Sequence, residues 1–135
     1  MTRTARTAVT TMALLVVVST VSNDTWAGFQ YTHLVTIDTT AQAAAGSIAD
    51  ARSSADNVQY IGCEVYASNP GGSTMYCSAK DSTGGYVNCT SSDPDLVNAA
   101  RSVNGDSDIL FFWDSNAACT SLYVQNYSVY SPKQP

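Results

Sequence analysis

Four cysteines, Cys63, Cys77, Cys89 and Cys119, constrain the fold of this chain more than any other residues. They follow an N-terminal segment with the composition of an export signal, so we expect them to meet an oxidising environment and to form disulfides. Zinc sites built from four cysteines rely on paired short spacings such as C-x-x-C, and the sequence contains none. We therefore predict two disulfides, no bound metal and no cofactor.

Residues 1 to 27 have the three parts of a secretory signal peptide. Two arginines precede an apolar run from Met12 to Val18, and a polar stretch then ends at Ala27. Small residues at the last and third-last positions predict cleavage after Ala27, and the same pattern also permits cleavage after Ser22. The apolar run is shorter than the ~20 residues that a membrane-spanning helix requires. We expect a secreted or periplasmic protein that has no membrane span after cleavage.

The predicted mature chain, residues 28 to 135, is long enough for one domain with a single hydrophobic core. The whole chain has a formal net charge of −5, and cleavage makes it more acidic because two of its six basic residues are lost with the signal. Binding to nucleic acid requires clustered lysine and arginine side chains, which this sequence lacks. We predict no nucleic-acid partner, and the sequence does not predict an oligomeric state.

The first part of the mature chain is predicted to form a strand and then a helix. Alternating apolar and polar residues indicate the strand over residues 29 to 37, which contains the only histidine, His33. An alanine-rich stretch without proline indicates the helix over residues 40 to 54. Its N-cap is expected at one of three polar residues, Asp38, Thr39 or Thr40.

Three strands with clear turns between them follow, over residues 58 to 67, 74 to 80 and 86 to 90. The connecting segments are rich in the residue types that favour turns, Gly, Pro, Asn, Asp and Ser. Connections this short predict an antiparallel three-stranded meander. The last part of the chain is predicted to form a helix that begins at Pro94, then a hairpin, then a loose tail from about residue 130.

The turn positions also predict the register of the meander. Centring the first turn on Pro70 places Cys63 opposite Cys77, and centring the second on Thr83 places Cys77 opposite Cys89. Side chains alternate along strands, so one face collects residues apolar enough to form the core. These residues are Ile61, Cys63, Val65, Met75, Cys77, Ala79, Val87 and Cys89.

Two disulfide sets are compatible with this register, because facing cysteines on neighbouring strands lie close enough to bond. One set joins Cys63 to Cys77 and Cys89 to Cys119. The other joins Cys77 to Cys89 and Cys63 to Cys119, and it is favoured if the final hairpin packs beside the strand that holds Cys63.

The final hairpin is predicted over residues 109 to 113 and 120 to 125. Its first strand is apolar at every position, so the pattern does not determine whether one face or both are buried. With a short loop, the core side would pair Ile109 with Val124, Phe111 with Leu122, and Trp113 with Thr120. Leu110 and Phe112 would then need cover or mark an interface.

The opposite face of the meander carries tyrosines among charged and polar residues. Aromatic rings combined with hydrogen-bonding groups are typical of surfaces that bind sugars or proteins with little loss of entropy. The alternative is that these tyrosines are ordinary strand formers. The predicted binding residues are Tyr60, Glu64, Tyr66, Tyr76, Lys80 and Tyr86.

Candidate catalytic and calcium-binding residues are few. His33 is the only histidine and Glu64 the only glutamate, and neither lies in a motif of nucleophilic or glycosidic catalysis, so His33 is predicted to be a strand residue. Residues 104 to 108 resemble part of a calcium loop but lack its later glutamate, so they are predicted to form a polar turn.

The sequence thus predicts an α+β protein with one antiparallel sheet of about five strands and two helices, stabilised by disulfides. We expect an exported, non-enzymatic binding or assembly module whose partner is an extracellular protein or glycan. A small secreted hydrolase with unidentified catalytic residues is the first alternative. A secreted inhibitor or effector is the second, because a rigid disulfide scaffold also suits that role.

Overall fold

The computed structural model describes residues 29 to 130; the predicted signal peptide, both cleavage sites and the end of the predicted tail lie outside this range. Within it the chain forms, in order, β1 (Thr36–Asp38), β2 (Ala43–Ser47), α1 (Ile48–Ser53), β3 (Tyr60–Ser68), β4 (Gly72–Lys80), β5 (Tyr86–Ser91), α2 (Pro94–Arg101), β6 (Asp108–Trp113) and β7 (Cys119–Gln125). The predicted mixture of helices and antiparallel strands is confirmed.

The strands form two sheets, so the prediction of one five-stranded sheet is wrong. The first sheet has the order β1-β2-β6-β7 and the second the order β3-β4-β5, and all pairs within them are antiparallel. After α2 the chain leaves the meander, and β6 pairs with β2. The sheets meet at an isolated parallel bridge between Thr90 and Ala118.

The main error in the predicted secondary structure is the helix over the alanine-rich stretch, residues 40 to 54. Residues 43 to 47 form β2, which lies between β1 and β6, and the helix begins only after Ser47. A Cβ added at Gly46 would lie 3.0 Å from the Cα atom of Val35, so the glycine allows the segment that contains Val35 to approach closely. Pairing on both edges outweighs the helix propensity of alanine, which is a weak preference.

The predicted strand over residues 29 to 37 is reduced to β1, and the predicted N-caps are wrong. Ser47 caps α1, because its Oγ accepts a hydrogen bond from the Asp50 backbone N–H at 3.2 Å. Asp38 instead stabilises the turn between β1 and β2, where its Oδ1 accepts from the N–H groups of Thr40 and Ala41, each at 2.9 Å.

The predicted register of the meander is confirmed. Cys63 pairs with Cys77 in β3 and β4, and Cys77 pairs with Cys89 in β4 and β5. On the predicted core face, Ile61, Met75, Cys77, Ala79 and Cys89 are buried. The other three residues of that face, Cys63, Val65 and Val87, are half-buried and pack against the same cluster.

The second helix and the final hairpin also form close to their predicted positions. Asp93 caps α2 by accepting from the backbone N–H groups of Asp95 and Leu96 at 2.9 and 3.1 Å. In the hairpin, Phe111 pairs with Leu122 as predicted, but an irregularity after Phe112 places Trp113 opposite Cys119 instead of Thr120. The inner faces of both sheets and the buried side of α2 share one hydrophobic core.

All four cysteines are in disulfides, Cys63 with Cys77 and Cys89 with Cys119. The first of the two predicted sets is therefore the one that forms, and the slightly favoured set, with Cys77 bound to Cys89, is wrong. That set depended on β7 packing beside β3, whereas the start of β7 lies beside β5 and brings Cys119 to Cys89. The two disulfides are consistent with an extracellular or periplasmic protein.

Asp56 stabilises the turn that leads into β3. It accepts hydrogen bonds from the Gln59 side chain and from the backbone N–H groups of Gln59 and Val58. The oriented Gln59 side chain in turn accepts from the Val35 backbone N–H at 2.9 Å. These bonds to the ionised carboxylate, led by the one from the Gln59 side chain, lower the pKa of Asp56 to about 2.

We expect Asp56 to contribute to acid unfolding. Because its folded pKa lies below its ordinary value of 3.8, the stabilisation is present above about pH 4 and is lost as the pH falls through about 2. Thermal melts between pH 5 and pH 2 should show a shallower loss of Tm in Asp56→Asn than in the wild type, because asparagine has no charge to titrate. Equal slopes would contradict this role.

Candidate ligand-binding face

The outward side of the three-stranded sheet brings the predicted binding residues together. We call this side the tyrosine face. The register arranges it in rows across the strands: Tyr60, Lys80 and Tyr86 form the first, Gly62, Ser78 and Asn88 the second, and Glu64, Tyr76 and Thr90 the third. Tyr66 lies one row further along β3, opposite Thr74. Alternation along regular strands places these side chains on one surface.

The tyrosine face is open to solvent. Tyr60, Tyr66 and Tyr86 are 45%, 69% and 48% exposed, and Tyr76 is half-buried. The buried residues of α2, Val97 and Ala100, belong to the core on the other side of the sheet. In the described residues the rings of Tyr60, Tyr66 and Tyr86 therefore remain accessible.

Three of the tyrosines hold one another in place. The Oη atoms of Tyr76 and Tyr86 lie 2.5 Å apart, and the ring centroids of Tyr60 and Tyr86 lie 6.4 Å apart with a tilt of 49°. The hydrogen bond with Tyr86, aided by burial and by nearby negative charge, raises the pKa of Tyr76 to about 12. The Tyr76 hydroxyl therefore keeps its proton at physiological pH and remains a hydrogen-bonding group.

A shallow depression lies in the middle of the tyrosine face. It encloses about 260 Å³ and is lined by Gly62, Cys63, Glu64, Tyr76 and Ser78. The row of Gly62 and Ser78 provides little side-chain bulk, whereas the rows on either side carry the tyrosines. The sequence pattern places Ser78 on this face, but Gly62 was not predicted to belong to the site, because a residue without a side chain gives no aromatic or charged signal.

The charges of the tyrosine face are few and opposite in sign. Lys80 lies between Tyr60 and Tyr86 in the first row, and Glu64 lies beside Tyr76 in the third. The remaining groups are hydroxyls and the amide of Asn88, and the three rows contain no aliphatic side chain. The surface thus combines flat rings with hydrogen-bond donors and acceptors and has little net charge.

His33 lies apart from the tyrosine face, in a cluster of acidic residues. Its Nδ1 is 2.5 Å from Oδ2 of the buried Asp108, and its backbone N–H donates to Asp50 Oδ2 at 2.8 Å. Burial raises the pKa of Asp108, although the hydrogen bond with His33 opposes this effect. The prediction of His33 as a strand residue is wrong, because it precedes β1. Asp108 is far away in sequence, so no local pattern could reveal the pair.

The loop over residues 104 to 108 is stabilised by its own side chains. Asn104 Oδ1 accepts from the Asp106 backbone N–H at 2.9 Å, and Ser107 Oγ accepts from the Asn104 backbone N–H at 2.9 Å. These bonds are those of a polar turn. Within residues 29 to 130, no group of three or more His, Cys, Asp or Glu side chains is arranged to hold a metal ion.

Comparison with known proteins finds no matching family model, no matching curated protein and no matching solved structure. Among the described residues, no helix has both the length and the apolar character needed to cross a membrane. The tyrosine face and the His33 cluster are therefore the two features of the structure that bear on function.

Proposed function

We propose that this protein is an exported, non-enzymatic module that binds or assembles through its tyrosine face, with an extracellular protein or glycan as its partner. The observation that carries the proposal is the exposure of Tyr60 and Tyr86 on a disulfide-linked sheet whose other side faces the hydrophobic core. Rings fixed on a sheet bind with a smaller entropy loss than rings on loops.

The covalent structure of the sheet supports the same proposal. The disulfide between Cys63 and Cys77 joins β3 to β4 directly beneath the tyrosine face. Hydrogen bonding between Tyr76 and Tyr86 then links β4 to β5 above the sheet. A surface that is organised before its partner arrives loses less conformational freedom on binding.

We expect the double substitution Tyr60→Ala with Tyr86→Ala to abolish capture of the partner. The mature protein would be immobilised and exposed to the cell envelope and glycans of its own source, and retained material would be quantified. Removal of two central aromatic contacts should weaken binding at least a hundredfold, since single buried aromatic anchors at interfaces contribute ~2 kcal/mol or more.

The matched control is Tyr123→Ala, because Tyr123 is exposed to a similar degree but lies on β7 in the other sheet. Urea denaturation should show that both proteins remain folded, with a modest loss of stability in the double variant because it also removes the hydrogen bond between Tyr76 and Tyr86. Capture that survives in the double variant would reject the tyrosine face as the binding surface.

A small secreted hydrolase remains the second candidate, and the pairing of His33 with Asp108 is the observation that favours it. A carboxylate on Nδ1 fixes the tautomer of an imidazole and leaves Nε2 as the basic nitrogen. Hydrolysis of ester, peptide or glycoside substrates that disappears in His33→Gln would establish this function in place of the first.

A further inference from the structure

We infer that Gly62 marks a subsite on the tyrosine face in which one sugar ring of a neutral polysaccharide lies directly against β3. This inference rests on the proposed function and narrows its partner to a glycan. The fold supplies no structural reason for a glycine at position 62. Glycine weakens a strand because it loses the most conformational freedom on folding, and Gly62 lies inside a regular nine-residue strand.

The two usual structural reasons for a glycine are absent at position 62. Gly62 is not among the described residues with a positive φ, so an L side chain fits its backbone conformation. A Cβ added there would meet no atom within 4 Å, so no neighbouring segment of the protein requires the space. Gly46 differs, because an added Cβ there would crowd Val35. The absence of a side chain at Gly62 instead leaves room for the depression on the tyrosine face.

The groups around Gly62 match a sugar ring. Tyr76 lines one side of the depression, and the paired rings of Tyr60 and Tyr86 lie in the row on the other side. The C–H groups of a pyranose carry a slight positive charge and pack against the negative faces of aromatic rings. Glu64 and Ser78 line the same depression and can accept hydrogen bonds from sugar hydroxyls.

Charge and composition favour a neutral glycan over other partners. Lys80 and Glu64 are the only charged side chains in the three rows, and their charges cancel. An acidic polysaccharide would meet an acidic protein, whose formal net charge is −5 over the whole chain and more negative after the predicted cleavage. A protein interface centre is usually richer in apolar contact than these rows, which lack aliphatic side chains. A polyhydroxylated, uncharged chain satisfies the donors and acceptors that are present.

The test is Gly62→Val, which fills the depression without removing any contacting group. Valine favours strands, and nothing lies within 4 Å of the new Cβ, so we expect the variant to fold with unchanged or greater resistance to urea. The matched control is Ala67→Val, which adds bulk at an exposed position of the same strand on the side away from Gly62.

Binding would be measured by calorimetry with hexasaccharides of β-linked glucose, xylose and N-acetylglucosamine, and with an oligogalacturonate as the acidic probe. We expect the wild type to bind at least one neutral hexasaccharide. Gly62→Val should weaken that binding at least tenfold, whereas Ala67→Val should change it less than twofold.

The other outcomes distinguish failure of this inference from failure of the proposed function. If Tyr60→Ala with Tyr86→Ala abolishes binding but Gly62→Val binds as the wild type does, the subsite is rejected and the tyrosine face stands. If the wild type binds no neutral hexasaccharide, the neutral glycan is rejected, whether or not the acidic probe binds or the face captures an envelope protein. If none of the substitutions changes hexasaccharide binding, both proposals fail.

Discussion

Replacing Cys89 and Cys119 together with alanine should lower the free energy of unfolding by about 3 to 4 kcal/mol. This disulfide closes a sequence separation of 30 residues, compared with 14 for Cys63 and Cys77. Doubling a loop adds about 0.6 kcal/mol to the entropy that a cross-link removes from the unfolded chain. Since small domains are stable by only about 5 to 15 kcal/mol, the loss is a large part of the total.

The disulfide between Cys89 and Cys119 also has a structural role that the other disulfide lacks. It connects β5 of one sheet to β7 of the other, next to the bridge between Thr90 and Ala118. The two double variants should therefore be compared by urea denaturation under identical conditions. A smaller loss in the Cys89 and Cys119 variant than in the Cys63→Ala with Cys77→Ala variant would contradict the expected order.

Phe111→Ala should destabilise the protein by about 3 to 5 kcal/mol. Phe111 is 0% exposed and occupies the inner face of β6, paired with Ala44 on one side and Leu122 on the other. Its ring also lies 5.9 Å from that of Trp113, measured between centroids. Neighbours held in sheet pairing cannot easily collapse into the space that the ring leaves, so the cost includes a cavity as well as lost burial.

Phe112→Ala is the matched control, because the same residue type is removed from the adjacent position. Phe112 is half-buried, points to the outer side of the sheet and contacts Tyr123 edge to face. Its substitution should cost less than half as much, and urea denaturation of both variants checks the ratio. Equal losses would show that the core lies on both sides of β6.

Phe111 and Phe112 show where the pattern of apolar residues fails to predict which side chain is buried. In β6 every position from Ile109 to Trp113 is apolar, so alternation cannot distinguish the inner from the outer face. The meander behaves differently, because polar residues alternate with apolar ones and the turns fix its register. Its core residues and its tyrosine face were therefore predictable, whereas the buried side of β6 was not.

The alanine-rich segment and His33 show that local sequence patterns also fail to predict contacts between distant parts of the chain. Alanine favours a helix locally, but Ala43 to Ser47 form a strand because β1 and β6 lie on either side to complete its hydrogen bonds. His33 meets Asp108 across 75 residues of sequence. Contacts of this kind depend on the path of the whole chain, which short-range patterns do not encode.

The four cysteines separate what sequence alone determined from what required the tertiary structure. Turn chemistry and alternation placed Cys63, Cys77 and Cys89 in one row and assigned the tyrosines to the opposite face, because both effects act over a few residues. The partner of Cys119 and the division into two sheets depend on how distant strands pack. They could be determined only from the folded chain, because the packing between two sheets depends on the shape and burial of both sheets together.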